Sequence, residues 1–401
     1  MEVFKPTNAA QLKDAIAACV SNERAVDVRG LGTKSGLGRP VASSLVLDTS
    51  ALKGDIDYQP EELVLTCGAA TPMRDILLLL EQRAQMLAFE PPDLAPLYGG
   101  EVGGGTIGGA LAANLGGPRR VKIGSARDHF LGFSAVSGRA EAFKGGGKVV
   151  KNVTGYDLPK LMAGSMGTLA VFDTVTVKVM PAPPKSRTVL AFGLTPIEAV
   201  ALLADALNSP WEVSGAAYLP AATAAHSAVD HVKNAGASVT AIRVEGTAVS
   251  VAARCEALRK ALPEKAGQEE LHSMRSKIFW EEVRDVRALL PADAALWRVS
   301  LAATQAPDLV AALPDSAYYF DWGGGLVWLA MADAKVAAYA EALRAAMGQG
   351  HATLIRASDA ARKAVPVFEP LSAPVMALTR GLKIQFDPSG ILNPGRMYAG
   401  V

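Results

Sequence analysis

The first part of the chain alternates short apolar runs typical of strands with amphipathic stretches typical of helices. A polar cap before an apolar repeat predicts a helix, and an apolar run bounded by glycine or polar residues predicts a strand. The predicted elements are a helix from Thr7 or Asn8 through Cys19, strands at Val26–Arg29, Ser44–Leu47 and Glu62–Thr66, and a helix capped by Thr71-Pro72 that ends near Arg83. This order indicates small βαβ-like units.

A long strand-like run at Leu169–Met180 precedes the proline-rich stretch Pro181–Pro184, which marks a boundary. Beyond it, strand and helix patterns alternate again. The predicted strands are Thr188–Phe192, Val213–Tyr218, Val239–Val244, Leu296–Leu301, Tyr318–Trp322 and Leu326–Ala330, and the predicted helices are Pro196–Leu207, Val249–Leu262 and Ala334–Met347. An antiparallel sheet covered by helices accounts for this pattern most simply.

These patterns predict an α+β protein with several domains. We expect a first domain over residues 1–181, with two α/β subdomains at about 1–58 and 59–181, and a second domain over 182–360. A C-terminal segment, 361–401, follows, and its tail from Gly381 is predicted to be rich in turns.

Composition narrows the possible partners. The chain has 401 residues, half of them apolar, and a formal net charge of +1, so it has no field that would gather nucleic acid. Its three cysteines lie far apart without metal or disulfide spacing. The N-terminus lacks a basic start followed by an apolar run, and no stretch has the length of a bilayer span. We expect a cytoplasmic protein whose membrane contact is at most peripheral, at the inner face of the cytoplasmic membrane.

The most informative segment is the glycine-rich loop Arg29–Gly38, which follows a predicted strand. Its glycines free consecutive backbone N–H groups to point at one anion, as a pyrophosphate requires. The spacing is neither GxGxxG nor a Walker loop, which disfavours a nicotinamide Rossmann site and a nucleotide triphosphatase. Taken alone, the loop is equally consistent with a mobile surface turn. A second cluster, Thr106–Gly109, leads into a helical run and predicts further unpaired amide donors at a helix start.

Several motifs together resemble a known family. They are RGLGTKSG, GGGTIGGALAANLGG, GSARDHFLGFSAV, KNVTGYDLPKLMAGSMGTLAVFDTVTVKVMP and the C-terminal FDPSGILNPGR. In this order they resemble the FAD-binding p-cresol methylhydroxylase/vanillyl-alcohol oxidase family, with particular likeness to the FAD-binding subunits of bacterial glycolate oxidases. The likeness covers roughly the first 180 residues and the last 30.

The resemblance implies a PCMH-type FAD-binding domain, a cap domain, and a C-terminal segment that returns to the first domain. The residues it implies at the cofactor are Arg29, Gly30, Gly32, Thr33, Lys34, Ser35 and Gly36 around the diphosphate, Thr106, Ile107, Gly108, Gly109 and Asn114 along the flavin channel, Ser125, Arg127 and Asp128 nearby, and Tyr156, Gly164, Gly167, Thr168 and Leu169 around the cavity. Relatives with covalent flavin often use a histidine in the loop. Thr33 and Lys34 stand in that neighbourhood here, so non-covalent FAD is expected.

Alternatives remain open for several charged residues. Arg127 and Asp128 could equally form a structural ion pair. For the cluster Arg119–Lys122 a solvated loop is the first interpretation, a partner-binding or flavin-proximal loop the second, and a nucleic-acid patch the last. Lys383, Asn393 and Arg396 either return to the flavin or close the C-terminus in an ordinary way.

Catalytic members of the family usually carry a histidine-rich metal motif in the cap domain. The comparable place here reads Tyr319–Trp328 and has no histidine, and the five histidines of the chain are scattered, so no metal site is predicted. The candidates that remain are Arg298, Trp322 and Lys383, with Arg284 as a second arginine suited to a carboxylate. The simpler interpretation is that Tyr319–Trp328 forms a hairpin whose tryptophans pack in the core. Arg298 and Arg284 would then be ordinary arginines at the surface or the core rim.

The leading hypothesis is an FAD-carrying subunit of a complex that oxidises glycolate, a small 2-hydroxy acid. It would pass electrons together with a catalytic flavoprotein subunit and an iron–sulfur subunit. Two alternatives stand beside it: a self-sufficient FAD oxidase or dehydrogenase of another 2-hydroxy acid, and a structural subunit that has lost FAD.

Overall fold

The computed structural model describes residues 2–149, 155–290 and 294–401. The motif residues Lys151–Thr154 lie outside this part of the chain. The chain divides into two compact units: Met1–Gly116, Gly124–Ala182 and Pro370–Val401 form the first, and Gly117–Ile123 and Pro183–Glu369 form the second. No sequence pattern predicted that Gly117–Ile123 would belong to the second unit.

The first unit holds two main sheets and the short helices that cover them. Its elements are β1 (Glu2–Phe4), α1 (Ala9–Ser21), β2 (Val26–Arg29), β3 (Leu45–Asp48), β4 (Asp57–Gln59), β5 (Val64–Gly68), α2 (Met73–Glu81), β6 (Gln85–Met86), α3 (Ile107–Ala113), α5 (Ala126–His129), β7 (Phe130–Ser137), β8 (Ala142–Gly146), α6 (Leu158–Met162), β9 (Ala170–Lys178), β10 (Met180–Pro181) and α15 (Ala373–Phe386). A parallel sheet has the order β1-β3-β2, and an antiparallel sheet has the order β4-β5-β9-β7-β8.

Most predicted elements of this unit form where the pattern placed them, within a few residues. Asn8 caps α1 by accepting from the Gln11 N–H. The predicted cap of α2 is wrong: Pro72 occupies the N-cap position without a side-chain bond, because the Thr71 hydroxyl donates to the Lys53 and Gly68 carbonyls instead.

The C-terminal tail completes the parallel sheet. The Val26 N–H donates to the Ile391 carbonyl and the Asn393 N–H donates to the Val26 carbonyl, so the tail runs beside β2. The tail is not turn-rich from Gly381, as predicted, because Gly381 to Phe386 continue α15 and turns begin only at Asp387.

The second unit is built on one eight-stranded antiparallel sheet, as the pattern predicted. Its elements are α4 (Arg120–Ile123), β11 (Lys185–Phe192), α7 (Pro196–Leu207), β12 (Val213–Leu219), α8 (Ala221–Ala224), α9 (Asp230–Lys233), β13 (Val239–Gly246), α10 (Ala248–Ala261), β14 (Gly267–His272), α11 (Ser273–Arg284), β15 (Ala294–Leu301), α12 (Ala306–Ala311), β16 (Ala317–Asp321), β17 (Leu326–Ala332), α13 (Val336–Met347), β18 (Gly350–Arg356) and α14 (Asp359–Ala364). The strand order is β14-β11-β13-β12-β16-β17-β15-β18.

The two faces of this sheet differ in chemistry. One face packs its apolar side chains, Trp297 and Phe320 among them, against helices α7, α10, α12 and α13. Alternation along the strands puts a second set on the other face, which we call the polar-aromatic face: Arg243, Arg298, Tyr319 and Trp328. Helix α11 packs on part of this face, where the Trp280 ring lies under the Arg243 guanidinium.

Helix α15 differs from the other long helices in what it buries. Of its 14 residues only Lys383 is buried, while Val375, Leu378, Leu382 and Ile384 are exposed. Within the described ranges no helix is long and apolar enough to cross a membrane.

Candidate functional site

The site begins at the carboxyl end of β2, where the chain leaves the parallel sheet and enters the glycine loop. An open cleft of about 810 Å³, including its mouth, lies here. Its walls come from the loop, the start of α3, the beginning of β9 and the C-terminal tail. The lining residues are Val28, Arg29, Gly30, Leu31, Gly32, Thr33, Lys34, Ser35, Thr49, Ala69, Thr106, Gly108, Gly109, Ala112, Ala113, Met166, Gly167, Ala170, Val171, Phe172, Asn393 and Arg396.

The loop presents consecutive backbone donors to this cleft. Among residues 2–149, 155–290 and 294–401, the N–H groups of Leu31, Gly32, Thr33 and Lys34 have no acceptor, whereas the Ser35 N–H is bonded to the Gly32 carbonyl. Gly32 has φ of +74°, a conformation that glycine adopts without the penalty other residues incur. Four successive free amides beside a cleft are a binding arrangement for an anion.

Lys34 adds a charge to the same place. A Cβ built on Gly105 would lie 3.2 Å from Lys34 Nζ and one on Gly109 would lie 3.9 Å from it, so the ammonium is packed against glycine main chain at the start of α3. In the described part of the chain this ammonium has no hydrogen-bond acceptor. Burial lowers the pKa of Lys34 to about 8, although Asp93 acts in the opposite direction. An anion in the cleft would restore the interaction that burial removes.

The start of α3 corrects one sequence prediction. Its first N–H groups are not free: Ile107 donates to the Thr71 carbonyl, Gly108 to the Ala69 carbonyl and Gly109 to the Thr106 hydroxyl. Helix α3 therefore contributes a smooth wall rather than donors. A Cβ at Gly108 would meet the Ala69 carbonyl oxygen at 2.7 Å, so this glycine serves close packing between α3 and Ala69.

Two arginines of the site are committed to protein partners. Arg29 pairs with Asp27 through Nε at 2.8 Å and Nη2 at 2.5 Å. Arg396 pairs with the same carboxylate at 3.4 Å and donates from Nη2 to the Lys34 carbonyl at 2.9 Å. Asn393 accepts from the Val28 N–H and donates to the Met166 carbonyl. The tail thus fixes both walls of the cleft.

Ten of the sequence-predicted cofactor residues line the cleft together: Arg29, Gly30, Gly32, Thr33, Lys34, Ser35, Thr106, Gly108, Gly109 and Gly167. The other ten lie elsewhere in the first unit. Ile107, Thr168 and Leu169 are buried, and a Cβ on Gly36 would overlap the Tyr98 ring at 2.4 Å.

Asn114 and Gly164 meet at the end of α3, with Asn114 at φ of +46°. The Asn114 side chain accepts from the backbone N–H of Arg127. Asp128 forms a capping box with Ser125 at the start of α5, which is a local structural role, and it does so without the side chain of Arg127. Tyr156 is 89% exposed.

Lys383, one of the three catalytic candidates, is a structural residue. Its ammonium donates to the Thr168 carbonyl at 2.8 Å, the Leu392 carbonyl at 2.8 Å and Asp387 Oδ2 at 2.7 Å. A lysine has three donors, so none remains for a substrate. Burial lowers the pKa of this lysine, while the Asp387 partner opposes that shift.

Arg298 and Trp322 lie in the second unit, on or beside the polar-aromatic face. The Arg298 guanidinium carbon lies 5.0 Å from the Trp322 ring centre, and Arg120 also lies over this ring, at 4.6 Å. Trp328 stacks on Tyr319. Arg284, the other arginine considered for a carboxylate, is paired with buried Asp285.

The prediction that Arg119–Lys122 is a solvated loop is only partly right: Arg120 and Lys122 are exposed, but the segment is not a loop. Arg119 is 8% exposed and binds Glu245 through two hydrogen bonds of 2.8 and 3.0 Å, and residues from Arg120 form α4. Three positive charges in a four-residue segment gave no signal of a partner 126 residues away.

Metal ligands do not assemble in the described ranges: no group of three or more histidine, cysteine or carboxylate side chains is placed to hold an ion. Cys19, Cys67 and Cys255 are free and buried, and burial raises the pKa of Cys67 and Cys255 to about 11.

Sequence reasoning missed several residues of the cleft. Asp27 positions two arginines, and Thr49 and Ala69 line the walls, yet none of these three belongs to a motif that the sequence singled out. Met166 and Phe172 also line the walls; they lie within a quoted motif but were not predicted as site residues. Only proximity in the folded chain identifies them.

Comparisons with known proteins place this chain in a family. A family model described as an FAD binding domain matches residues 2–145. The chain is 35% identical to glycolate oxidase subunit GlcE of Escherichia coli (strain K12) over 389 residues, which cover 97% of each protein. It is 30% identical to glycolate oxidase subunit GlcD of Bacillus subtilis (strain 168) over 190 residues, 47% of this chain and 39% of that one.

Among solved structures, p-cresol methylhydroxylase with substrate bound superposes with a TM-score of 0.67 at 14% identity, covering 98% of this chain and 88% of that protein. This likeness concerns the fold. The whole-length match to GlcE and the FAD-domain match together carry the assignment. The chain belongs to the FAD-binding p-cresol methylhydroxylase/vanillyl-alcohol oxidase family, among the FAD-linked oxidoreductases that include the glycolate oxidase subunit GlcE.

Proposed function

We propose that this chain is the FAD-carrying subunit of a dehydrogenase complex that oxidises glycolate, and that it holds FAD without a covalent bond. The observation that carries the proposal is the anion arrangement of the cleft: four free amides from Leu31 to Lys34 and a Lys34 ammonium without an acceptor among the described residues. The diphosphate of FAD supplies the negative charge and the oxygens that such donors require. Bound FAD supplies the capacity to take up and pass on two electrons.

The proposal assigns a role to each of the two units. Residues of the first unit would hold FAD, with Leu31–Lys34 on the diphosphate and the ten predicted residues outside the cleft in supporting positions. The second unit, which contains most of residues 182–360, would act as the cap domain. Arg29 would act through its backbone, because its guanidinium is already paired with Asp27.

We propose that substrate oxidation depends on a second, catalytic flavoprotein subunit, and that an iron–sulfur subunit takes the electrons. GlcE and GlcD are both named as subunits of glycolate oxidase, which supports an assembly of this kind. The stretch Tyr319–Trp328, where catalytic relatives carry histidines, supports electron relay rather than metal-assisted oxidation in this chain. We place the complex in the cytoplasm, with peripheral contact at the inner membrane face.

Helix α15 is the proposed docking surface for the catalytic flavoprotein subunit. Val375, Leu378 and Leu382 follow a three-and-four spacing that places them on one face, and Leu378 is 70% exposed. Exposed apolar rows of this kind mark protein contacts. Helix α15 is anchored from its C-terminal half by Lys383, which leaves the apolar row open to a partner.

One experiment separates relay from self-sufficient oxidation. The purified, FAD-loaded chain is mixed with glycolate, and separately with lactate, without air, and the flavin absorbance is followed with and without the partner subunits. The proposal expects bleaching only when the partners are present. Rapid bleaching of the isolated chain would favour a self-sufficient dehydrogenase, and a colourless chain that takes up no FAD would favour a structural subunit.

A further inference from the structure

Trp322 has an unusual backbone for a large side chain. It follows β16 with φ of +52°, and Gly323 and Gly324 continue in the left-handed region. The Asp321 carboxylate accepts from the Trp322 N–H at 2.7 Å, and the indole Nε1 donates to the Gly117 carbonyl at 3.1 Å. A bulky residue at positive φ is strained, and such strain is characteristic of sites whose geometry serves a ligand. The ring is thus held in one place at both ends.

Two guanidiniums share this ring. Arg120, on α4, and Arg298, on β15, lie 4.6 and 5.0 Å from the ring centre, so their central carbons are at most about 10 Å apart. Within the described ranges neither side chain has a hydrogen bond or an ion pair. Arg298 is partly buried, where an arginine normally finds a carboxylate or a carbonyl oxygen, whereas Arg120 is exposed to solvent.

The electrostatics of the pair are unfavourable as the chain stands. Burial, together with the nearby Arg120 charge, lowers the pKa of Arg298 to about 10, although Asp321 acts in the opposite direction. The Asp321 carboxylate is buried and caps the Trp322 backbone. Two positive charges therefore lie beside the Trp322 ring with a single nearby carboxylate, Asp321, which also caps the Trp322 backbone, and a bound anion would relieve the remaining repulsion.

Arg119 holds Arg120 in position through its own ion pair. Its guanidinium donates two hydrogen bonds to the carboxylate of Glu245 on β13, and both side chains are about 10% exposed. A bidentate pair of this kind sets the orientation of the chain as well as its position. Arg119 is a positioning residue, because it holds the start of α4 so that the next residue, Arg120, reaches Trp322.

We propose that Arg120, Arg298 and Trp322 form a binding site for the carboxylate of a small 2-hydroxy or 2-oxo acid. The two oxygens of one carboxylate can accept from both guanidiniums, and the indole supplies a flat apolar wall for the short carbon chain. That the acid belongs to the glycolate class rests on the proposed function. The anion site itself rests only on the geometry of the second unit. A small ligand fits better than a protein side chain because Arg298 lies in mid-strand on the sheet face and is partly buried.

The test is binding of glycolate and glyoxylate to the full-length, FAD-loaded chain, followed by calorimetry and by tryptophan fluorescence, with the neutral amide glycolamide as the uncharged probe. We expect saturable binding of the two carboxylates and none of the amide. Arg120→Ala and Arg298→Lys should each weaken binding at least tenfold, and Trp322→Phe should remove the fluorescence response. Arg259→Ala is the matched control, since Arg259 is an exposed arginine of the same unit, and it should bind as the parent chain does.

Absence of carboxylate binding to the parent chain would overturn the proposal, as would unchanged binding in folded Arg120→Ala. Loss of partner assembly in these variants without any small-ligand binding would instead assign the arginines to an acidic side chain of a partner. Failure of the proposed function has a different signature: the chain would bind carboxylate normally, yet lack FAD or fail to support glycolate oxidation in the complex.

Discussion

Arg396 Nη2 donates a hydrogen bond to the carbonyl oxygen of Lys34 over 2.9 Å. These residues are 362 positions apart in the sequence. The same guanidinium pairs with Asp27, which also holds Arg29. The bond uses the carbonyl oxygen of Lys34, while the N–H groups of Leu31–Lys34 remain available to the cleft. The C-terminal tail is therefore part of the cleft that we propose binds FAD, although it has no glycine-loop motif.

Removing this contact should weaken FAD binding without unfolding the chain. Arg396→Leu removes the bond to the Lys34 carbonyl, and we expect the dissociation constant of FAD to rise about tenfold, the usual effect of losing one charge-assisted hydrogen bond. Flavin fluorescence titration measures it. Arg380→Leu, at an exposed arginine of α15, is the control and should bind FAD normally. Equal affinity in both variants would show that the tail does not shape the loop.

The affinity for FAD should depend on pH through Lys34. Burial lowers the pKa of Lys34 from its ordinary value of 10.5 to about 8, so the Lys34 ammonium of the FAD-free protein loses its proton near pH 8. Between about pH 8 and 10.5 the unfolded chain binds more protons, and stability of the FAD-free fold rises with pH. A bound diphosphate raises the pKa of Lys34, so binding takes up a proton above about pH 8 and affinity falls by up to about tenfold per pH unit.

Titrations from about pH 7 to about pH 9.5 check this linkage. The affinity should be flat below about pH 8 and fall above it, and Lys34→Gln should show no such fall. A parallel fall in the variant would assign the effect to another group.

Lys383 should be needed for stability rather than for chemistry. Lys383→Met leaves Asp387 buried without its cation, and we expect the free energy of unfolding to drop by about 3–5 kcal/mol. Urea denaturation measures the drop, and adding Asp387→Asn should restore part of it because the unpaired charge disappears. If Lys383 took part in catalysis, folded and FAD-loaded Lys383→Met would assemble into a complex with little turnover.

The apolar row of α15 should determine assembly with the partner. Leu378→Asp places a charge at a site that is 70% exposed, so folding and FAD content should not change. We expect co-purification with the catalytic flavoprotein subunit to be lost, because a buried, unpaired charge in an interface is costly. Val249→Asp, at a position that is 84% exposed on α10, is the matched control and should co-purify normally. Intact assembly of Leu378→Asp would place the interface elsewhere.

The elements of this fold were largely predictable because their signals are local. Pro196–Leu207 forms a helix within the predicted bounds, with Thr195 and Glu198 as a capping box, and alternation of apolar and polar residues over Trp297–Leu301 marks a strand. The site was only partly predictable. The loop Leu31–Lys34 carries its own glycine signal, whereas the commitment of the α3 donors to Thr71 and Ala69 depends on packing between segments distant in sequence. The same holds for Arg119 and Glu245.

The central claim is that the Lys34 ammonium and the loop amides hold FAD by its diphosphate. The most direct test compares the FAD dissociation constant of the parent chain with those of Lys34→Met and Lys13→Met, the latter an exposed lysine on α1. The account predicts that Lys34→Met binds FAD at least tenfold more weakly at neutral pH, while Lys13→Met binds as the parent does. A folded Lys34→Met protein with the FAD affinity of the parent chain would contradict it.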